Sequence, residues 1–116
     1  MGTLSQEQID HYWREGYVVL PPVLDPEEIE RFLVRARDIV HGDIPDEAAN
    51  RIVKDISFVK GHLPIPEDPE HAVWKILNPD RFDATFRECL SLPRVLDAVE
   101  SLIGEDLMAF LLMFIY

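Results

Sequence analysis

Ten consecutive residues without a charge, a glycine or a proline, 107–116 (LMAFLLMFIY), constrain this chain more than any other feature. Preceded by Gly104, Glu105 and Asp106, the run reads as a buried strand of a larger sheet. As a helix it falls well short of the about 20 apolar residues that cross a bilayer. Left unpaired, it would be an uncharged sheet edge of the kind that templates aggregation. Chain termini are normally polar and frayed unless tied down. The 116 residues are therefore expected to be the front part of a larger domain. Taken alone, they are expected to self-associate through that strand.

Composition narrows the class of partner. The formal net charge is −11, from 22 acidic against 11 basic residues. Nucleic acids and anionic membrane surfaces recruit Lys/Arg patches, so neither is an expected partner. Cys89 is the single cysteine, which leaves no disulfide, cysteine metal site or Cys-x-x-Cys redox pair. Residues 1–6 (MGTLSQ) have no basic segment leading into an apolar one. They also miss the myristoylation pattern, because Gln6 stands where Ser or Thr is needed. The cytosol is the expected compartment.

Helix signals are strong at the start. Ser5 with Gln8 forms a capping box, Ile9, Tyr12 and Trp13 give an apolar stripe, and Gly16 is a helix stop. Tyr17, Val18, Val19 and Leu20 read as a short strand halted by Pro21 and Pro22. Asp25, Pro26 and Glu28 cap a second helix, whose buried face is expected to carry Ile29, Phe32, Leu33, Ala36, Ile39 and Val40. Residues 51–60 are ambiguous between strand and irregular structure, and 63–70 form a proline-broken loop. Residues 72–77 read as a short strand containing Lys75. Residues 78–90 read as one helix with Phe82, Phe86 and Leu90 on a face. A last helix spans 92–103, with Val95, Leu96, Val99 and Leu102 apolar and Gly104 as its stop. The class is α+β.

The most specific signal is the opening taken as a unit: Leu4, Ser5, Gln8, Tyr12, Gly16, Tyr17 and the apolar residues after it, then Leu24, Asp25, Pro26, Glu27, Glu28 and Ile29. This opening resembles the N-terminal segment of the phytanoyl-CoA dioxygenase family, and the helix at 92–103 followed by the strand at 107–116 is similar to a later part of it. The resemblance implies a double-stranded β-helix of the jelly-roll kind, incomplete here. It also implies Fe(II)- and 2-oxoglutarate-dependent hydroxylation of a small-molecule or acyl-type substrate. In such enzymes a His-x-Asp pair and a distal His hold the iron and leave open positions for the oxo acid and O₂. By that resemblance residues 1–116 stop before the metal-binding motif. Fe(II) and 2-oxoglutarate are expected for the complete domain, with neither bound tightly by this segment, which would be inactive alone.

Two residues correspond to co-substrate contacts in the resembled family. Lys75, flanked by Trp74 and Ile76, matches a lysine that binds the 2-oxoglutarate carboxylate, and an ammonium offers three donors to such a group. Met113 matches a methionine of the later strand. A sheet-edge lysine kept for solubility and a core-filling methionine are the alternative roles. His41, Gly42 and Asp43 form the one His-x-Asp of the chain, but they sit where a helix should end, which already favours a histidine. No metal ligand is assigned to them, to His62 and His71 in the proline-broken segment, or to His11 on the first helix. Cys89 reads as a small buried hydrophobe. A second reading of the whole remains open: a non-catalytic α/β module that uses its terminal strand for β-addition to a partner.

Overall fold

The computed structural model describes residues 4–116, so the signal and myristoylation readings of residues 1–6 lie partly outside it. Helix α1 (Gln6–Glu15) begins at the expected capping box. The Ser5 hydroxyl accepts from the Gln8 N–H, and the Gln8 side chain accepts from the Ser5 N–H. Gly16 closes it at φ 85°, a left-handed conformation that glycine adopts without a Cβ clash. Helix α2 (Pro26–Val40) repeats the device with Asp25 and Glu28. Of its expected inner face, Phe32, Ala36 and Ile39 are buried, whereas Ile29 and Leu33 are exposed. The stripe on α1 stays outside the core, since no α1 residue is buried and Trp13 is exposed.

Three short strands form one antiparallel sheet in the order β1 (Ile52–Lys54), β2 (Val73–Leu77), β3 (Met113–Ile115). Ile52, Ile76 and Phe114 are opposite one another, as are Val53, Lys75 and Ile115, while Leu77 faces Met113. Side chains alternate between faces along a strand. Ile76 is fully buried and joins Phe32, Ala36, Ile39, Phe86 and Leu92 in the core between the sheet and the helices. A one-turn helix, α3 (Ile56–Val59), follows β1, which resolves the ambiguity at residues 51–60.

Three expectations need correction. Residues 17–20 are not a strand, and Val19 is 79% exposed. Among the described residues no strand lies beside them, and Pro21 and Pro22 carry no N–H for a ladder. The apolar run at 107–116 is neither buried nor a strand throughout. Only Met113–Ile115 pair, and Met108 and Phe110 are 90% and 88% exposed. The ladder stops because Asn78, at φ 45°, turns the chain after β2, its N–H donating to the Leu112 carbonyl at 2.8 Å. Among the described residues no fourth strand supplies partners to 107–111. The helix expected over 78–90 is two pieces, a 3₁₀ turn (Pro79–Arg81) and α4 (Ala84–Cys89). Asp83 divides them, because its carboxylate accepts from the Phe86 N–H and so starts a new helix. Helix α5 (Pro93–Ile103) ends at Gly104 as expected.

The radius of gyration is 17.0 Å, against about 13 Å for a compact domain of this length. The core is accordingly thin, and much of the apolar surface is uncovered. No helix among the described residues is long and apolar enough to cross a membrane.

Two measurements follow from this packing. Asp83 is 6% exposed and accepts from Arg35 Nε at 2.6 Å. Removing one member of a buried pair leaves the other uncompensated, at about 3–5 kcal/mol. Arg35 keeps Asp43, so Asp83→Ala is expected near the lower end of that range, about 3 kcal/mol, measured by urea unfolding. A loss below about 0.5 kcal/mol, the level of an ordinary surface change, would sink the anchor role. The second concerns solubility. Deleting 107–116 would take Phe114 out of the core, whereas Met108→Lys with Phe110→Lys changes exposed side chains only. That double variant is expected to shift the 116-residue chain toward monomer in sedimentation velocity with an unchanged unfolding midpoint. An unchanged distribution of species would count against residues 107–111 as the self-association surface.

Candidate functional site

Lys75 is the middle residue of β2, and β2 is the middle strand. The alternative of a sheet-edge lysine is thereby removed. Its half-buried side chain shares a face with Val53 and Ile115 directly opposite it, and with Leu77 along its own strand. Met113 is opposite Leu77, so Lys75 and Met113 stand on one face as diagonal neighbours, a separation across which long side chains still meet. Among the described residues no carboxylate pairs with the Lys75 ammonium. It lies instead 4.0 Å from the centroid of the Trp74 ring. Met113 is also at the rim of an apolar groove of about 250 Å³ bounded by Ile29, Leu33, Phe86, Cys89 and Phe114. Lining that groove accounts for the exposure of Ile29 and Leu33. Cys89 is half-buried there, and burial with the nearby Glu28 charge pushes its thiol pKa up, away from the reactive thiolate.

The histidines go elsewhere. His41 caps the end of α2, its Nδ1 2.8 Å from the Arg37 carbonyl and its Nε2 3.0 Å from Asp68 Oδ1. Asp43 turns the other way, onto Arg35. The two residues of the His-x-Asp are thus held by different partners. His41, Asp68 and Glu70 do bring donor atoms within 4.8 Å of one another. Each donor is already engaged: Asp68 caps the Glu70 N–H, and Glu70 accepts from Arg37 Nε at 3.2 Å and from the Tyr116 hydroxyl at 3.0 Å. Both ring nitrogens of His41 face acceptors, which is the arrangement of an imidazolium rather than of a metal ligand. An Arg guanidinium in the cluster opposes a cation further. This constellation does not fit the iron site of an oxygenase.

Asp68, Glu70 and Tyr116 escaped the sequence reading. Tyr116 and Glu70 are 46 positions apart, and no spacing rule connects them. Their network ties β3 and the 3₁₀ turn before β2 (Pro69–Ala72) to the end of α2. Burial, with the Glu70 carboxylate beside it, raises the Tyr116 phenol well above its ordinary value. Trp74 was visible only as a flank of Lys75.

A hydrogen bond to the Arg37 carbonyl, and beyond it the charges of Asp68 and Glu70, hold the His41 pKa above its ordinary value. The Glu70 N–H, then the charge of His41, hold Asp68 below its own. The sign for His41 follows. Its folded pKa is raised, so its contribution is complete below about pH 6.5 and is lost as pH rises through the folded value. For Asp68 the contribution is present above about pH 3.9 and is lost as pH falls through the depressed value. Proton NMR titration is expected to place His41 above the ordinary histidine value of about 6.5, and Asp68→Asn should bring it back toward that value. A His41 midpoint left unmoved by Asp68→Asn would rule the contact out.

Comparison with known proteins follows the same lines. The family model described as Phytanoyl-CoA dioxygenase (PhyH) matches residues 12–115. A Caenorhabditis elegans protein named "Probable phytanoyl-CoA dioxygenase" is 32% identical over 102 residues, covering 88% of this chain and 31% of that protein. The Rattus norvegicus protein "Phytanoyl-CoA dioxygenase, peroxisomal" is 28% identical over 107 residues, covering 91% of this chain and 30% of its own length. The chain thus spans about a third of the curated relatives it matches. No solved structure matches it.

Proposed function

The chain belongs to the phytanoyl-CoA dioxygenase family, and on that premise we propose that it is the N-terminal segment of an Fe(II)- and 2-oxoglutarate-dependent oxygenase, contributing the co-substrate side of the site. The observation that carries this is the placement of Lys75: a half-buried cation on the central strand, without an acidic partner among the described residues and on one face with Met113. In this reading the ammonium holds a carboxylate of 2-oxoglutarate, and Met113 packs beside the co-substrate. The three-stranded sheet then represents the first strands of a jelly roll. The iron ligands come from the remainder of the parent protein, since His41, Asp68 and Glu70 are committed to other partners. When bound, the iron supplies the oxidising chemistry. This segment's own residues bind and orient the oxo acid and form one wall that excludes water. Both relatives carry phytanoyl-CoA in their names, which supports an acyl-type substrate here.

The second reading, a non-catalytic module working by β-addition, rests on β3, whose outer edge is open among the described residues. It requires the 116-residue chain to fold cooperatively and remain monomeric until a partner strand adds to that edge.

A lysine ammonium on a carboxylate is a charge-assisted hydrogen bond worth about 1.5–3 kcal/mol. In the full-length enzyme, Lys75→Ala should therefore raise the apparent 2-oxoglutarate requirement by about one to two orders of magnitude. The melting temperature without co-substrate should change little. Lys75→Arg should restore part of the loss, because a planar fork replaces a compact point charge. The check is a co-substrate titration of turnover at fixed iron. An unchanged 2-oxoglutarate dependence in Lys75→Ala would show that the lysine serves only the sheet.

A further inference from the structure

The register of the sheet contains one irregularity, and it falls beside Lys75. Val53 is opposite Lys75, but the next residue of β1, Lys54, is opposite Val73. Trp74 is the extra residue between them, a β-bulge on the central strand. A bulge leaves its residue out of the side-to-side alternation and re-aims the side chain. Here the consequence is visible. Trp74 lines a groove with Val53, Ile56 and Val59, although strict alternation would turn it to the face opposite Lys75 and Val53. Its ring comes to lie 4.0 Å from Lys75 Nζ. Adjacent residues of a regular strand point apart and do not make that contact.

The backbone of Trp74 is held as well, its carbonyl accepting from the Tyr116 N–H at 3.0 Å. That bond anchors the backbone of the half-exposed indole, which packs along a groove with Val53, Ile56 and Val59, while the lysine stem has four rotatable bonds and apolar neighbours in Val53 and Ile115. Without a platform the ammonium would swing toward water, as long charged side chains do. Resting on the indole face, it is attracted by the ring quadrupole and keeps N–H groups on its far side for an anion.

We propose that Trp74 is the positioning residue for Lys75: the bulge sets its indole under the ammonium, so that the cation is already in place when the carboxylate of an oxo acid arrives. This rests on the reading of Lys75 as the co-substrate anchor. It adds that the anchor works through a bulge residue that never touches the co-substrate.

The test is 2-oxoglutarate binding by the full-length protein, measured by calorimetry under nitrogen so that no turnover occurs. A cation resting on an indole at a half-exposed site is a modest contact, so Trp74→Leu should weaken binding about two- to five-fold. Trp74→Phe, which keeps an aromatic face, should recover most of that. In a double-mutant cycle, Trp74→Leu should add nothing once Lys75 is alanine. Binding as tight in Trp74→Leu as in the unaltered protein, with Lys75→Ala still weakened, would overturn the role of Trp74 and leave the lysine reading intact. Unaltered binding in Lys75→Ala would remove both. The contact has its own readout, independent of co-substrate and of any change at position 74. The chain has two tryptophans, so in the 116-residue chain carrying Trp13→Phe, Trp74 is the sole indole emitter. Lys75→Met should then change the emission intensity. Identical emission with lysine or methionine at 75 would overturn the contact.

Discussion

A carboxylate as deeply buried as Asp83 persists only where its charge is answered on the spot, and the rest of this structure follows from how that is done. One oxygen accepts from Arg35 of α2 and the other from the first-turn N–H of Phe86 in α4. One side chain is thus both an ion-pair partner and a helix cap, a combination that leaves little of its desolvation cost uncompensated. Burial alone would lower the Arg35 pKa, but its bonds to Asp43 and Asp83 more than reverse that. With α2 and α4 pinned, Phe32 stacks on Phe86 at 5.9 Å between centroids, and Phe114 meets Phe86 edge-on at 5.8 Å. Phe114 belongs to β3, and seating it in the core fixes the register of that strand. The same register puts Met113 opposite Leu77, on the face of Lys75. A one-residue slip would send Met113 to the other face.

The two faces of the sheet therefore have different tasks. The face carrying Ile52, Ile76 and Phe114 closes the core. The other carries Val53, Leu77, Met113 and Ile115 around one ammonium. An apolar wall with one convergent charge is the composition that the proposed co-substrate site would require. The bulge at Trp74 belongs to the same arrangement, since it gives up one ladder pair to bring an aromatic ring to a cation.

How much of this was legible varied with the range of the interaction. The capping boxes of α1 and α2 are written within four residues each, at Ser5–Gln8 and Asp25–Glu28, and both are present. Strands are different, because a strand exists only beside another. Among the described residues, 17–20 have strand composition but no neighbouring strand, and 107–111 belong to the strongest apolar run in the chain but face no ladder. The break in 78–90 was encoded by Asp83, which reads as one acid among 22 until Arg35 is known to face it. Lys75 and Met113 were singled out by family resemblance alone. Their common face was not legible, because it depends on a register set by an aromatic contact 28 positions away.

Charge places a last constraint on recognition. The segment carries −11, and Arg14, Arg31, Arg35, Arg37 and Arg94 are all engaged with carboxylates. An anion approaching this surface meets net repulsion, although screening confines it to about 8 Å at physiological ionic strength. Long-range steering, which a basic cleft would supply, is therefore not what this segment contributes. Discrimination must come at contact, where an ammonium against an apolar wall interacts more strongly than one in water. That requirement favours a cation whose position is set in advance. A lysine free to sample solvent would give back in ordering entropy part of what it gains from the anion. An acidic segment whose half-buried, ring-supported Lys75 has no carboxylate partner among the described residues is thus suited to holding an anion delivered to it, and poorly suited to attracting one from a distance.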